Sequence, residues 1–88
     1  MTKKEIDLMK VQLLHRLLEM SDNNITHLGM SLDLPFQTIS LWRKNDMITD
    51  RGVKFVMESE LADEVPPALK EYITNKYKYK NKYEYKNK

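Results

Sequence analysis

The segment from Asn24 to Lys44, NITHLGMSLDLPFQTISLWRK, most constrains what this 88-residue chain can fold into. Its apolar residues recur at helical spacing in two sets, separated by a break at 33–35. The first set comprises Ile25, Leu28 and Leu32, and the second comprises Phe36, Ile39 and Trp42. Asn24 suits the N-cap of the first helix, and Pro35 fits the first turn of the second, where its missing N–H costs nothing. Two short helices joined by such a break predict a helix-turn-helix.

The residues of the break fit this interpretation. A residue before proline is pushed out of the helical region, so Leu34 is predicted to lie in the turn. Asp33 is one of the few residue types other than glycine that tolerates a positive φ there. Gly29 lies within the first helix, where its small size lets the second helix cross closely.

The second helix is predicted to present a polar face to solvent. Ile39 and Trp42 should hold this helix on the core. The side chains left facing outward are Gln37, Thr38, Ser40, Leu41, Arg43 and Lys44. Amide, hydroxyl and cationic groups on one helix suit the major groove of DNA.

This stretch resembles the helix-turn-helix of the Cro-like phage repressors and their antitoxin relatives. That pattern has a small residue, then LG-[VI]-[SP]-x-x-x-[VI]-S-x-W, then a short x-I-P step into a further helix. The matching residues are Gly29, Leu32–Pro35, Ile39, Ser40, Trp42 and Met47–Thr49. Asp33 stands where the family usually has glycine, and Thr49 where it usually has proline. The resemblance covers roughly residues 6–60 and implies a fold similar to that of lambda repressor.

The resemblance also implies a function, namely a transcriptional regulator that acts as a repressor. Such proteins bind specific double-stranded DNA, commonly as homodimers. The positions expected to read bases are Phe36, Gln37, Thr38 and Leu41. The positions expected to hold phosphate are Asn24, Ser40, Arg43 and Lys44. No cofactor, metal, catalytic residue or small-molecule substrate is expected.

Outside this segment the sequence predicts an all-α fold of four to five short helices. A first helix over 4–20 carries an apolar arc broad enough for a core position or for part of a dimer surface. Thr49 or Asp50 can cap a later helix, and Pro67 can begin a final one. The residues expected to share one core are Ile25, Leu28, Leu32, Ile39, Trp42, Ile48, Val53, Val56 and Met57. The predicted dimer contact is Val65–Ile73, with the outer arc of the first helix second.

The C-terminal residues 75–88, NKYKYKNKYEYKNK, differ in composition from the domain predicted over 1–74. They hold six lysines and one glutamate, whereas residues 1–74 hold nine basic and twelve acidic side chains. Strict alternation fits an exposed strand, but the segment has no aliphatic residue, which favours a disordered tail. Lysine attracts phosphate and tyrosine stacks on bases, so this tail either holds nucleic acid without sequence choice or serves only solubility.

Composition excludes several other classes of protein. The chain has no cysteine, and His15 and His27 are isolated, so no metal site is predicted. No apolar run approaches a signal peptide or a membrane span, which makes a bacterial or phage-infected host cytoplasm the expected location. The acidic run 58–64 is interpreted as a solvated helix end rather than a catalytic carboxylate pair, because no base or nucleophile accompanies it.

Two other functions remain open at this stage. The acidic body and the broad apolar arc of the first helix also fit a phage-type module that binds and inhibits a host protein. The Tyr/Lys tail alone fits an RNA-binding protein.

Overall fold

In the computed structural model, which describes residues 2–86 and their side chains as far as Tyr77, five α-helices and a 3₁₀ helix occur and no strand. The α-helices are α1 (Lys3–Met20), α2 (Ile25–Leu32), α3 (Phe36–Asn45), α4 (Asp50–Met57) and α5 (Pro67–Lys86). The 3₁₀ helix, Ala62–Glu64, lies between α4 and α5. The predicted all-α class is therefore confirmed.

Helix α1 begins at a reciprocal cap and ends at a serine. The Thr2 hydroxyl accepts a hydrogen bond from the Glu5 amide at 3.2 Å, and the Glu5 carboxylate accepts one from the Thr2 amide at 3.3 Å. This capping box satisfies two N–H groups that the helix leaves free. At the other end, the buried Ser21 hydroxyl donates to the Leu17 carbonyl at 3.1 Å.

All five helices contribute to one hydrophobic core. Its buried members are Ile6, Leu13, Leu14, Leu17, Leu18, Leu28, Leu32, Ile39, Trp42, Ile48, Val53, Val56, Val65, Leu69 and Ile73. Every residue predicted for the core is buried except Ile25 and Met57, which are half-buried and pack against it. The two helices of the motif are therefore fixed on the body of the protein.

The apolar arc of α1 is buried only in part. Leu14 and Leu17 are fully covered, whereas Leu8 is 57% exposed and Val11 is half-buried. Met20 is 44% exposed because it is the last residue of α1 and the chain turns away after it. An apolar strip of α1 thus remains on the surface.

Helix α4 begins at Thr49, whose hydroxyl accepts a hydrogen bond from the Gly52 amide at 2.9 Å. Asp50, the other predicted cap, is the first helical residue. Gly52 lies against the indole of Trp42, and a Cβ there would stand 2.5 Å from Trp42 Cζ2. Close packing therefore accounts for this glycine, and it seats the first turn of α4 directly on α3.

Helix α5 begins at Pro67 as predicted, but it continues beyond the predicted end near Thr74 as far as Lys86. Lys76 and Tyr77 both contact α4, so the folded unit includes residues that the sequence assigned to the tail. The rest of the predicted disordered tail, 78–88, lies outside the residues whose side chains the structure describes.

The structure changes the interpretation of Val65–Ile73 as the first choice of dimer contact. Val65, Leu69 and Ile73 are at most 2% exposed, because they complete the core of their own chain. Tyr72 alone among the large apolar residues of this range reaches the surface, at 37% exposed. The apolar strip of α1, the second choice, is the surface that keeps its side chains free.

Candidate nucleic-acid interface

Two hydrogen bonds and two backbone conformations fix the turn between α2 and α3. Asn24 Oδ1 accepts from the His27 amide at 3.0 Å, which caps α2 as predicted. Asp33 ends α2 in the left-handed conformation, with φ 57°, and the Leu34 amide then donates to the Gly29 carbonyl at 2.8 Å. Pro35 is the N-cap of α3 rather than a residue of its first turn, because its ψ of 147° is extended.

Gly29 is required by the turn itself. A Cβ built on Gly29 would lie 2.7 Å from the carbonyl oxygen of Leu34 and 3.6 Å from the Phe36 amide nitrogen. The atom it meets belongs to the backbone, which cannot swing aside as a flexible side chain can. The predicted reason, a close crossing of helices, is therefore refined to a close approach of the connecting peptide.

Helix α3 buries one face and exposes the other. Ile39 and Trp42 are at most 3% exposed, and they hold the helix on the core. Gln37, Leu41 and Lys44 are exposed, and their spacing of four and three residues aligns them on one stripe opposite the buried pair. This stripe presents an amide, an apolar branched group and an ammonium to the same side.

A second stripe flanks the first along α3. Phe36, which is 50% exposed, Ser40 and Arg43 share it at the same helical spacing. Ser40 is half-buried, as is Thr38 on the opposite edge, so these two hydroxyls border the exposed face. The structure brings seven of the predicted site residues together on α3, and Asn24 lies apart as the exposed cap of α2.

Charge at this face is nearly balanced. Arg43 and Lys44 occupy the last turn of α3 and pair with no acid among the side chains described, 2–77. Asp46 follows them as the left-handed C-cap, and its Oδ1 lies 2.6 Å from His15 Nε2 on α1. This contact ties the end of α3 to α1 and places a carboxylate beside the two cations.

Four other cations of the body contact an acid or an aromatic ring, namely Lys10, Arg16, Lys54 and Lys76. Arg16 Nε donates to Glu64 Oε1 at 3.0 Å, and this hydrogen bond raises the pKa of Arg16. Glu64 is thus part of an ion pair between α1 and the 3₁₀ helix, a role that the interpretation of 58–64 as a solvated helix end did not include. Lys54 Nζ lies 5.1 Å from the centre of the Tyr77 ring, at cation–π distance.

Asp50 pairs with lysines from two other helices. Lys10 Nζ of α1 lies 2.8 Å from Asp50 Oδ1, and Lys76 of α5 donates to Asp50 Oδ2. Burial alone would raise the pKa of Asp50, but the two ammonium groups outweigh it and hold this pKa below its usual value. The hydrogen bond to Asp50 in turn raises the pKa of Lys76.

The lowered pKa of Asp50 determines the pH range in which its contacts with the two lysines stabilise the fold. A carboxyl with a lowered folded pKa contributes stability above its unfolded pKa of about 3.9 and loses it as pH falls through the folded value. A lysine with a raised pKa keeps its contribution below about 10.4. Asp50 and Lys76 are therefore both charged at neutral pH.

Sequence reasoning missed Met30, the most exposed large apolar side chain described, at 76%. It lies on the outward side of α2, and its position one residue after Gly29 gave no signal of a role. The contacts of Asp46 with His15 and of Asp50 with Lys76 were also missed, because the partners are 31 and 26 residues away in the chain.

The described residues hold no group of three His, Asp or Glu side chains that could bind a metal ion. None of the helices within 2–86 combines the length and the apolar character that crossing a membrane requires. Comparisons with protein-family models, curated proteins and solved structures gave no match to this chain.

Proposed function

We propose that this chain is a transcriptional regulator that binds specific sequences of double-stranded DNA with α3 in the major groove. The observation that carries the proposal is the exposed stripe of Gln37, Leu41 and Lys44 on a helix that the core holds rigidly. Helix α3 has ten residues and is about 15 Å long. An α-helix is about 10–12 Å in diameter, and the major groove, about 12 Å wide, admits it.

The residues on α3 have separate roles in this proposal. Gln37 reads adenine through its amide, since an amide can bond both N6 and N7 of that base. Leu41 and Phe36 contact thymine methyl groups. Arg43 and Lys44 hold phosphates and set the register of the helix without reading sequence.

The protein acts on DNA as a two-fold dimer. One α3 reads only a few base pairs, whereas two copies read half-sites about one helical turn, ~34 Å, apart. The apolar strip of α1, Leu8 with Val11, supplies the contact between the copies, because it is the exposed part of the broad arc. The resulting operator is palindromic, and regulation follows from its occupancy, as in a repressor.

Dimerisation can be measured by sedimentation of the protein with a selected duplex. Two proteins per site and a palindromic sequence are expected, and Leu8→Glu should reduce binding to one half-site without loss of helix content. A single protein on a non-palindromic site would contradict the dimer, and Thr74→Glu, on an exposed position of α5, serves as the matched control.

Selection from a random duplex pool tests sequence specificity directly. The purified chain should enrich one motif, and gel shifts against duplex, single-stranded DNA and RNA at two salt concentrations should show the duplex bound best. If the folded chain enriches no sequence, the proposal is wrong.

Gln37→Ala and Arg43→Ala should weaken binding in different ways. Gln37→Ala should cost about 1–3 kcal/mol on the preferred site and relax the choice at one base pair. Arg43→Ala should weaken all duplexes alike and lower the salt slope by about one per protomer. Asn75→Ala and Lys3→Ala, which remove an exposed amide and an exposed cation away from α3, are the controls.

A second candidate function is the protein-interaction module. Met30, Phe36 and Leu41 expose large apolar surface on the two helices of the motif, and DNA explains only the two on α3. Under this alternative the chain binds a protein through α2 and α3. Duplex binding that survives both Gln37→Ala and Arg43→Ala, or no duplex binding at all, would favour it.

A further inference from the structure

A histidine of α1 contacts the end of α3 that carries Arg43 and Lys44. The Nε2 atom of His15 lies 2.6 Å from Oδ1 of Asp46. Asp46 is the C-cap of α3, and its amide donates to the Arg43 carbonyl at 3.2 Å. The imidazole is therefore held beside the last turn of α3, although it belongs to another helix.

The charge of this pair depends on one proton. A carboxylate only accepts hydrogen bonds, so His15 Nε2 carries a hydrogen in this contact and a further proton binds at Nδ1. The contact therefore persists in both charge states of His15. The net charge of the two side chains changes from minus one to zero, and a histidine ordinarily makes this change between about pH 5 and 8.

Both side chains are open to solvent, so His15 exchanges protons freely with the solution. The side chain of His15 is 57% exposed and that of Asp46 is 69% exposed. Water and salt screen charges in such positions, but at about 0.1 M salt they still act over about 10 Å. A phosphate held by Arg43 lies within this range of Asp46, because the two residues are joined by a backbone hydrogen bond.

The other charged groups around His15 keep their charge in this pH range. They lie one turn or less along α1, on α3, and on the α2, 3₁₀ and α5 elements that pack against α1. Carboxylate, ammonium and guanidinium groups ordinarily stay charged between about pH 6 and 8, which leaves His27 as the second histidine to control for. The groups are Arg16, Glu19, His27, Arg43, Lys44, Asp63, Glu64, Lys70, Glu71 and Lys76.

We propose that His15 regulates DNA binding through Asp46, so that the affinity for the duplex rises as the pH falls from about 8 to about 6. This inference rests on the proposed function and adds a regulation to it. At the higher pH the carboxylate of Asp46 repels the phosphates that Arg43 holds. Protonation of His15 cancels this charge, so binding of DNA takes up a proton, and affinity is lost again as the pH rises.

A purely structural role for His15 predicts a different result. If the imidazole only held Asp46 in place, glutamine would serve as well, because its amide also donates a hydrogen bond. His15→Gln would then leave the affinity and its pH dependence unchanged. The pH profile therefore separates the charge of His15 from its position.

Anisotropy titrations with the selected duplex at about pH 6 and about pH 8, in about 0.1 M salt, test the inference. The parent chain should bind about threefold more tightly per half-site at the lower pH, or about tenfold for two half-sites. His15→Gln should bind equally at both values, with the affinity of the parent at the higher pH. His27→Gln, the matched control, should keep the difference.

Two further variants fix the charge in the opposite sense. His15→Arg is positive at both pH values and should bind as the parent does at the lower pH. Asp46→Asn removes the charge that the proton neutralises, and asparagine accepts the left-handed backbone of this position, where φ is 55°. At about pH 8 this variant should bind about threefold more tightly per half-site than the parent.

Circular dichroism at both pH values identifies variants that keep their helix content, and His15→Arg replaces His15→Gln if the latter does not. Equal affinity of the parent at both pH values would overturn the inference. The same follows if His15→Gln keeps the full response, if His27→Gln abolishes it, or if Asp46→Asn binds no more tightly at the higher pH. The proposed function fails separately, when the parent prefers the selected duplex over a scrambled one at neither pH.

Discussion

Replacing Trp42 with alanine should lower the free energy of unfolding by about 3–5 kcal/mol, the largest effect expected of a single change in this chain. Trp42 is 3% exposed and joins two helices, since it belongs to α3, packs in the core and lies against Gly52 of α4. A domain of this length has about 4–13 kcal/mol of total stability, so the substitution should remove a large fraction of it.

Urea unfolding followed by far-UV circular dichroism measures this effect, because the substitution removes the only tryptophan. Trp42→Phe keeps an aromatic ring in the site and should cost clearly less than alanine. Leu41→Ala, the exposed neighbour on α3, should change stability by less than about 0.5 kcal/mol. Equal stability of Trp42→Ala and the parent chain would show that α3 does not pack as described.

Replacing Gly29 with alanine should lower the free energy of unfolding by about 2–3 kcal/mol and also weaken DNA binding. Alanine normally stabilises a helix relative to glycine by about 1 kcal/mol, so a loss here has the opposite sign from helix propensity. The cause is the Leu34 carbonyl oxygen, 2.7 Å from the added Cβ, which must move and carry the start of α3 with it.

Thermal unfolding and duplex binding together check the Gly29 prediction. Thr26→Ala, at an exposed position of the same helix, is the control and should be neutral or slightly stabilising. A Gly29→Ala chain that is more stable than the parent would mean that the turn tolerates a side chain. Loss of stability with unchanged DNA affinity would show that the orientation of α3 does not depend on this turn.

The helix-turn-helix was predictable because short-range rules determine it. Asn24 caps α2, Asp33 takes the left-handed conformation and Leu34 lies in the turn, and each depends on residues within about four positions. The exposed stripe of α3 follows from helical spacing once Ile39 and Trp42 are placed inside. These features needed no knowledge of the remaining chain.

The contacts between distant segments were not predictable in the same way. Arg16 and Glu64 are 48 residues apart, and an exposed arginine on a helix has several acids within reach in any compact fold. The choice among them depends on how the helices pack, which spacing alone does not specify. For the same reason an apolar stripe over Val65–Ile73 indicated burial correctly but not the surface that would cover it.

The end of α5 shows a further limit of composition. Alternating lysine and tyrosine without aliphatic residues favours disorder when the segment is considered alone. The contacts of Lys76 with Asp50 and of Tyr77 with Lys54 extend the folded part past the predicted boundary at Asn75. Tertiary contacts thus place the end of the folded domain later in the chain than composition indicates.

Helices α2 and α3 both end at an aspartate in the left-handed conformation, which glycine adopts with less steric strain. Asp33 and Asp46 have φ values of 57° and 55°, and each adds a negative charge at the negative end of a helix dipole. Both carboxylates also oppose the approach of phosphate to this side of the domain. Under the proposed function, these charges shorten the residence time on DNA, so that occupancy of an operator follows changes in protein concentration quickly.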